Sequence, residues 1–208
     1  MRLHRMTMRR SMIALPGGAF LFTSLMVLVM GGEPPRVDYR DREVLEAALK
    51  DMLDPKNPVY AKDERNSRSP PRTLVLHRLT GGDDWDVFEN QKMISKELAS
   101  AWERRNSGEP ISLRKLGLQD RAFVITDVDK MYEESHNMNK SFWELFWERY
   151  PDSCGCATVS LPGYSRGGTA AVVAIHISRA EYHPIIWLML LTKFEGRWNV
   201  GWRHIEIW

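Results

Sequence analysis

The chain has 208 residues, 43% of them hydrophobic, with 29 Lys and Arg against 27 Asp and Glu and only two Cys. Two cysteines cannot build a disulfide framework, so eight Trp and the other apolar side chains must supply a core. Beyond residue 32 no basic run exceeds a pair such as Arg104-Arg105, which excludes a nucleic-acid surface built on counterion release.

The N-terminus is the most distinctive stretch. Arg2, Arg5, Arg9 and Arg10 precede an uncharged run from Ser11 to Gly32, and Glu33-Pro34-Pro35 follows. A basic head before an apolar body is the pattern of a segment inserted into a membrane during export. Residues 1–32 are therefore expected to be a signal peptide or an N-terminal membrane anchor. The apolar core Ala19–Met30 has the length of a signal-peptide core, with a cleavage position after Gly31; if retained, Ser11–Gly32 is long enough to span. Pro16-Gly17-Gly18 and the lack of a polar face argue against a buried helix of the domain. No Cys follows, so a lipoprotein anchor is not available. The leader holds four of the 29 basic groups and none of the 27 acidic ones, which leaves the remainder at a net charge of −2. Residues 33–208 suit a single domain.

Within that domain, Asp41 is expected to cap a helix that puts Val44, Leu45, Ala48, Leu49, Met52 and Leu53 on one face and ends at Asp54-Pro55. Asp54–Arg72, rich in Pro, Asn, Ser and charge, reads as a long surface loop. Thr73–Leu79 reads as a strand. A helix is expected over Gln91–Arg105, closed by Ser107-Gly108. Phe123–Ile125 reads as a short strand that runs into a helical turn after Thr126. Ser141 and Glu144 form a capping box for a helix carrying Phe142, Trp143, Phe146, Trp147 and Tyr150, which Pro151 stops.

From Gly155 the period changes to that of strands. Ala157–Leu161, Thr169–Ser178, Ile185–Phe194 and Arg197–Trp208 read as a four-stranded meander with turns at Pro162-Gly163, Gly167-Gly168, His183-Pro184 and Glu195-Gly196. The third of these strands is apolar on both faces: Ile185, Trp187, Met189 and Leu191 alternate with Ile186, Leu188, Leu190 and Phe194. Such a strand must be covered on both sides. Helices are expected on one side, and a loop layer, an apolar ligand or a second copy of the chain on the other. In the last strand Trp198, Val200 and Trp202 are expected on one face, with Ile205 and Ile207 on the other. The expected class is α+β, with N-terminal helices packed on a C-terminal antiparallel β-meander.

The string Phe142-Trp143, Phe146, Tyr150-Pro151, Gly155, Ser160, Gly163-Tyr164-Ser165, Gly168-Thr169 and Ala171-Val172-Val173 resembles a group of uncharacterised exported bacterial proteins, in which a helix ending in Tyr-Pro leads into a β-meander. The closing Leu190-Leu191, Lys193, Gly196, Trp198 and Val200 is similar to that group and, more loosely, to the last hairpin of NTF2-like cone-shaped α+β domains. The turn Ser178–His183 departs from the Gly-rich or Cys-containing turn of the group. The resemblance implies a fold and a compartment, and no activity.

Few residues point to chemistry. Cys154-Gly155-Cys156 holds two thiols near or beyond the reach of an unstrained disulfide, and half of a structural zinc site; ordinary packing thiols are the expectation. His204 and Glu206 share a strand face that His176 can approach, the minimum set for an acid–base pair or a catalytic metal, although a polar rim at a sheet end is the commoner explanation. His77 reads as a satisfied core or edge histidine, and Asp127 and Asp129 as carboxylates at a helix start. Ser165 lacks the spacing of a nucleophile elbow. No metal and no cofactor is expected.

Two functions follow. The favoured one is an exported or membrane-anchored, non-catalytic domain that binds a small ligand, an envelope protein or a second copy through its sheet, with the domain periplasmic, extracellular or held outside the cytoplasm. The alternative is an NTF2-like pocket enzyme, a hydrolase or lyase, using His176, His204 and Glu206.

Overall fold

The structure, a computed structural model, describes residues 37–54, 73–81, 88, 91–118, 120–179 and 185–207. The expected leader, most of the expected surface loop and the His183-Pro184 turn lie outside the described residues. Among the described residues no helix is long and apolar enough to cross a membrane.

The chain is α+β. Helix α1 (Tyr39–Met52) buries Val44, Leu45, Ala48, Leu49 and Met52 along the expected stripe. Its cap is Asp38, not Asp41: the Asp38 carboxylate accepts from the Arg40 N–H, and Asp41 sits three residues on, accepting from the Asp38 N–H to close a capping box. Strand β1 (Thr73–His77) follows. Helix α2 (Lys96–Asn106) starts later than the periodicity suggests, because Ser95 caps it by accepting from the Leu98 N–H; Met93 is left outside and exposed. Strand β2 (Phe123–Thr126) leads directly to α3 (Val128–Asn137), capped by Asp127, and then to α4 (Phe142–Arg149), whose Ser141–Glu144 capping box forms as expected. The remaining elements are β3 (Ser153–Val159), β4 (Gly163–Tyr164), β5 (Ala170–Ser178), β6 (Ile185–Phe194) and β7 (Arg197–Ile207).

These strands form one open mixed sheet in the order β2-β1-β3-β5-β6-β7, with β4 also paired to β5. β3, β5, β6 and β7 are the antiparallel meander. The addition is a parallel wing: β1 lies beside β3, β2 lies beside β1, and both pairings are parallel. The α3–α4 connection from β2 to β3 carries the chain over β1, the long crossover a parallel arrangement requires.

Helices cover both faces of the sheet. On the first face α1 packs against Val173, Ile175, Ile177, Trp187, Met189 and Leu191. On the second, α3 and α4 pack on the parallel wing around Val75, Met131 and Phe146, while α2 and Phe88 cover Val172, Ala174, Ile186 and Leu188. Met189 and Leu188, on opposite sides of β6, are both fully buried. A helical layer thus lies on the side expected to need a loop, a ligand or a second copy.

Polar contacts fix α2 in place. Trp102 Nε1 donates to Ser160 Oγ over 2.7 Å, and Asn106 brackets Leu161, accepting from its N–H and donating to its carbonyl. The α2 backbone comes so near that a Cβ on Gly163 would lie 2.6 Å from Trp102 N and Cα. Pro162-Gly163 is accordingly not a reversal: the chain bends under α2 and continues into β4, and the reversal falls at Arg166–Gly168. Glu195 and Gly196, both with positive φ, form the β6–β7 hairpin turn.

One irregularity changes which way side chains point. Leu190 faces Trp202 but Leu191 faces Val200, so Gly201 is the extra residue of a β-bulge. The extra residue inverts the alternation. Trp198 and Val200 lie on the first face with Ile205, and Trp202 lies on the second, which corrects the expected common face of the three.

Candidate functional site

The residues singled out in the sequence gather at the β7 end of the second face. Cross-strand pairing puts His176, Ile186 and Glu206 in one row, with Ala174, Leu188 and His204 in the next. His204 Nε2 and Glu206 Oε1 are 3.3 Å apart, and Gln91, which no sequence signal marked, donates to the same Oε1 from 3.3 Å. His176 lies in the same row as Glu206, one strand further in than Ile186. Ile186 stands between, and two strand spacings put its backbone about 10 Å from that of Glu206. His176 is half-buried, and burial pushes its pKa below the ordinary imidazole value. Among the described residues no three His, Cys, Asp or Glu side chains are grouped to hold a metal ion.

Beside this polar row the apolar surface is partly covered. α2 and Phe88 bury Val172, Ala174, Ile186 and Leu188 but leave Leu190 and Trp202 half-exposed. The Trp202 and His204 rings lie parallel within 4°, with centroids 5.9 Å apart. Phe194, at the end of β6, is 67% exposed. The arrangement offers partly exposed aromatic and aliphatic side chains with a carboxylate, an imidazole and an amide along one margin. That is the make-up of a recognition surface, in which apolar area supplies affinity and a few polar groups fix orientation.

The other candidates have structural roles. His77 contacts the Leu79 backbone and lies 3.4 Å from Asp129, beside an Arg78–Asp127 ion pair. Asp127 also accepts from the Lys130 N–H as a helix cap. Ser165 Oγ accepts from the Ala170 N–H and closes a turn. Cys154 and Cys156 are buried and form no disulfide. A bulge sets Cys154 and Gly155 against the single residue Leu74, so Cys154 packs into the α1 side of the sheet and Cys156 into the α3–α4 side. Desolvation pushes the Cys156 thiol up to about 12, a thiol that stays protonated and unreactive at neutral pH.

No family model, curated protein or solved structure matches the chain.

Sequence reasoning missed one charged cluster entirely. Asp41 is fully buried, and its carboxylate takes two 2.8 Å hydrogen bonds from Arg105 and one of 2.9 Å from the Tyr164 hydroxyl. Arg40 lies over the Tyr164 ring at 4.3 Å. Arg105 also donates to the Pro162 carbonyl and forms one wall of a small surface cleft with Thr80, Gly81, Asn106 and Glu109. The partners are more than 60 residues apart in the chain, so no local pattern announces them.

Proposed function

We propose that this chain is an exported or membrane-anchored, non-catalytic domain that binds a partner or small ligand through the β7 end of its sheet. The observation that carries the reading is the partly exposed margin of the second face. Leu190 and Trp202 pack at the margin of the helical layer that buries Ile186 and Leu188 and stay partly exposed there, beside a polar margin of Gln91, His204 and Glu206. Export is supported by the Arg-rich head and the uncharged run of residues 11–32, and by the resemblance of the segment around Phe142–Val200 to exported bacterial proteins.

The test is a photoreactive p-benzoylphenylalanine in place of Trp202, in the full-length chain in intact cells. A discrete adduct, of protein or small-molecule mass, is expected on irradiation, and Leu190→Lys should remove it without unfolding the chain. A folded chain that yields no adduct overturns the reading. Protease access to a C-terminal tag in spheroplasts checks the compartment: full protection overturns export.

A second reading rests on the His204–Glu206 contact. In an NTF2-like pocket enzyme, a hydrolase or lyase, that pair with His176 supplies the acid and base. His204→Ala and Glu206→Gln should then leave folding intact and abolish turnover, whereas a binding domain shows no turnover to lose.

A further inference from the structure

We propose that β7 pairs antiparallel with β7 of a second copy of this chain, so that two sheets join into one across a two-fold axis at the Gly201–Trp202 bulge. The inference rests on the reading of the β7 end as a binding region and places a second copy at its edge, beside the face that carries Leu190 and Trp202.

The sheet has two edges, and they differ. β2 is four residues long, the short edge that globular proteins tolerate. β7 is 11 residues long and, among the described residues, pairs only with β6. A long uncovered edge is a template for another strand. The bulge at Gly201 restricts which strand fits. It counts Gly201 and Trp202 as one ladder position, so a regular foreign strand loses register on passing it. A strand with the same bulge at the same place does not. When the two bulges lie opposite one another, residue positions match in pairs on either side of the axis.

That register makes the side chains agree. Val200 meets the partner's Arg203, Asn199 meets the partner's His204, Trp198 meets the partner's Ile205, and Arg197 meets the partner's Glu206. Each pair lies on a common face, because Trp198, Val200, Arg203 and Ile205 are on the α1 side and the others on the α2 side. The outermost pair brings the exposed Arg197 to a carboxylate, twice by symmetry. Shifting the register by one residue sets apolar side chains against the wrong face, and it breaks both charge pairs.

The test is sedimentation equilibrium of the full-length chain in density-matched detergent, with charge reversals. A dimer is expected. Arg197→Glu and Glu206→Arg should each weaken it roughly tenfold or more, because each creates two like-charge contacts, and the double reversal should restore it. As an independent measurement, Asn199→Cys with His204→Cys should give a disulfide-linked dimer on mild oxidation. A chain that stays monomeric at every concentration overturns the proposal, as does a dimer indifferent to the reversals or a folded double-cysteine variant that does not cross-link. The adduct at position 202 separates the two readings. If it persists in a monomeric chain, the second copy is wrong and the binding surface stands; if it too is absent, both fail.

Discussion

Arg105 and Asp41 hold each other with two 2.8 Å hydrogen bonds, although their helices lie on opposite faces of the sheet. Arg105 reaches past the β4 end from α2 and meets a carboxylate that α1 has buried completely. A buried carboxylate stripped of its cation is much costlier than an apolar pair in the same space. Arg105→Met is therefore expected to destabilise the domain by about 3–5 kcal/mol. Asp41→Leu combined with Arg105→Met should lose less than Arg105→Met alone. Urea unfolding of the three variants checks this, and simple additivity contradicts it.

Gly163 is the point of closest approach between α2 and the sheet. A methyl group there meets three Trp102 atoms at 2.6 Å, two of them backbone, which cannot rotate away. Gly163→Ala should cost about 1–3 kcal/mol or more, as over-packing does, and should weaken the Trp102–Ser160 hydrogen bond. Thermal unfolding gives the first effect and near-ultraviolet circular dichroism of Trp102 the second. An unchanged melting temperature refutes the packing account.

Trp198 is 7% exposed and packs with Leu191 and Val200 in the main core, under the Lys193 ammonium 5.5 Å from its ring. Trp198→Ala is expected to cost about 3–5 kcal/mol. Ending the chain before Trp198 removes nearly all of β7 and bares the apolar edge of β6, so the product should aggregate. A truncated chain that is soluble and melts like the parent shows that β7 is dispensable.

The burial of His176 makes stability depend on pH in a defined sense. Its pKa is lower in the folded chain than in the unfolded one, so the unfolded state binds the proton more readily. The contribution is whole above the unfolded value, near 6.5, and is lost as the pH falls through the interval down to the folded value. His176→Gln should flatten that acid-side decline. Urea unfolding at several values from about pH 7 down to about pH 5 measures it. An identical decline in the variant assigns the effect to other groups.

Local signals in the sequence were sound guides and long-range ones were absent. The Ser141–Glu144 box is legible because both halves lie within one turn, and the α1 stripe because one helix repeats it. The two-sided character of Ile185–Phe194 was legible, and Leu188 and Met189 are indeed buried on opposite sides. What covers the second side was not, since α2 docks through Ser160 and Leu161, more than 50 residues away. Trp202 is the clearest failure. Strict alternation puts it with Trp198, and only pairing with β6 decides that Gly201 is passed over. The parallel pairing of β1 with β2 and β3 depends likewise on crossover geometry that no short window contains. At the candidate site His204 and Glu206 were found from spacing, whereas Gln91 comes from a distant segment and carried no signal.

The bulge at Cys154–Gly155 has a consequence for how the chain meets an oxidant. With the two thiols buried on opposite sides of one strand, the native domain holds the sheet between them and so opposes a bridge from one to the other. Unfolded chain has no such partition, and there the neighbours can react with one another or with a second molecule. Gly155, whose Cβ would strike the Ser178 carbonyl at 2.6 Å, admits no slack for a strand refolded around a bridge. Oxidation before folding thus can bridge the two thiols, a bridge the folded strand opposes. In any compartment without reducing thiols, the chain's yield becomes a race between sheet closure and sulfur chemistry.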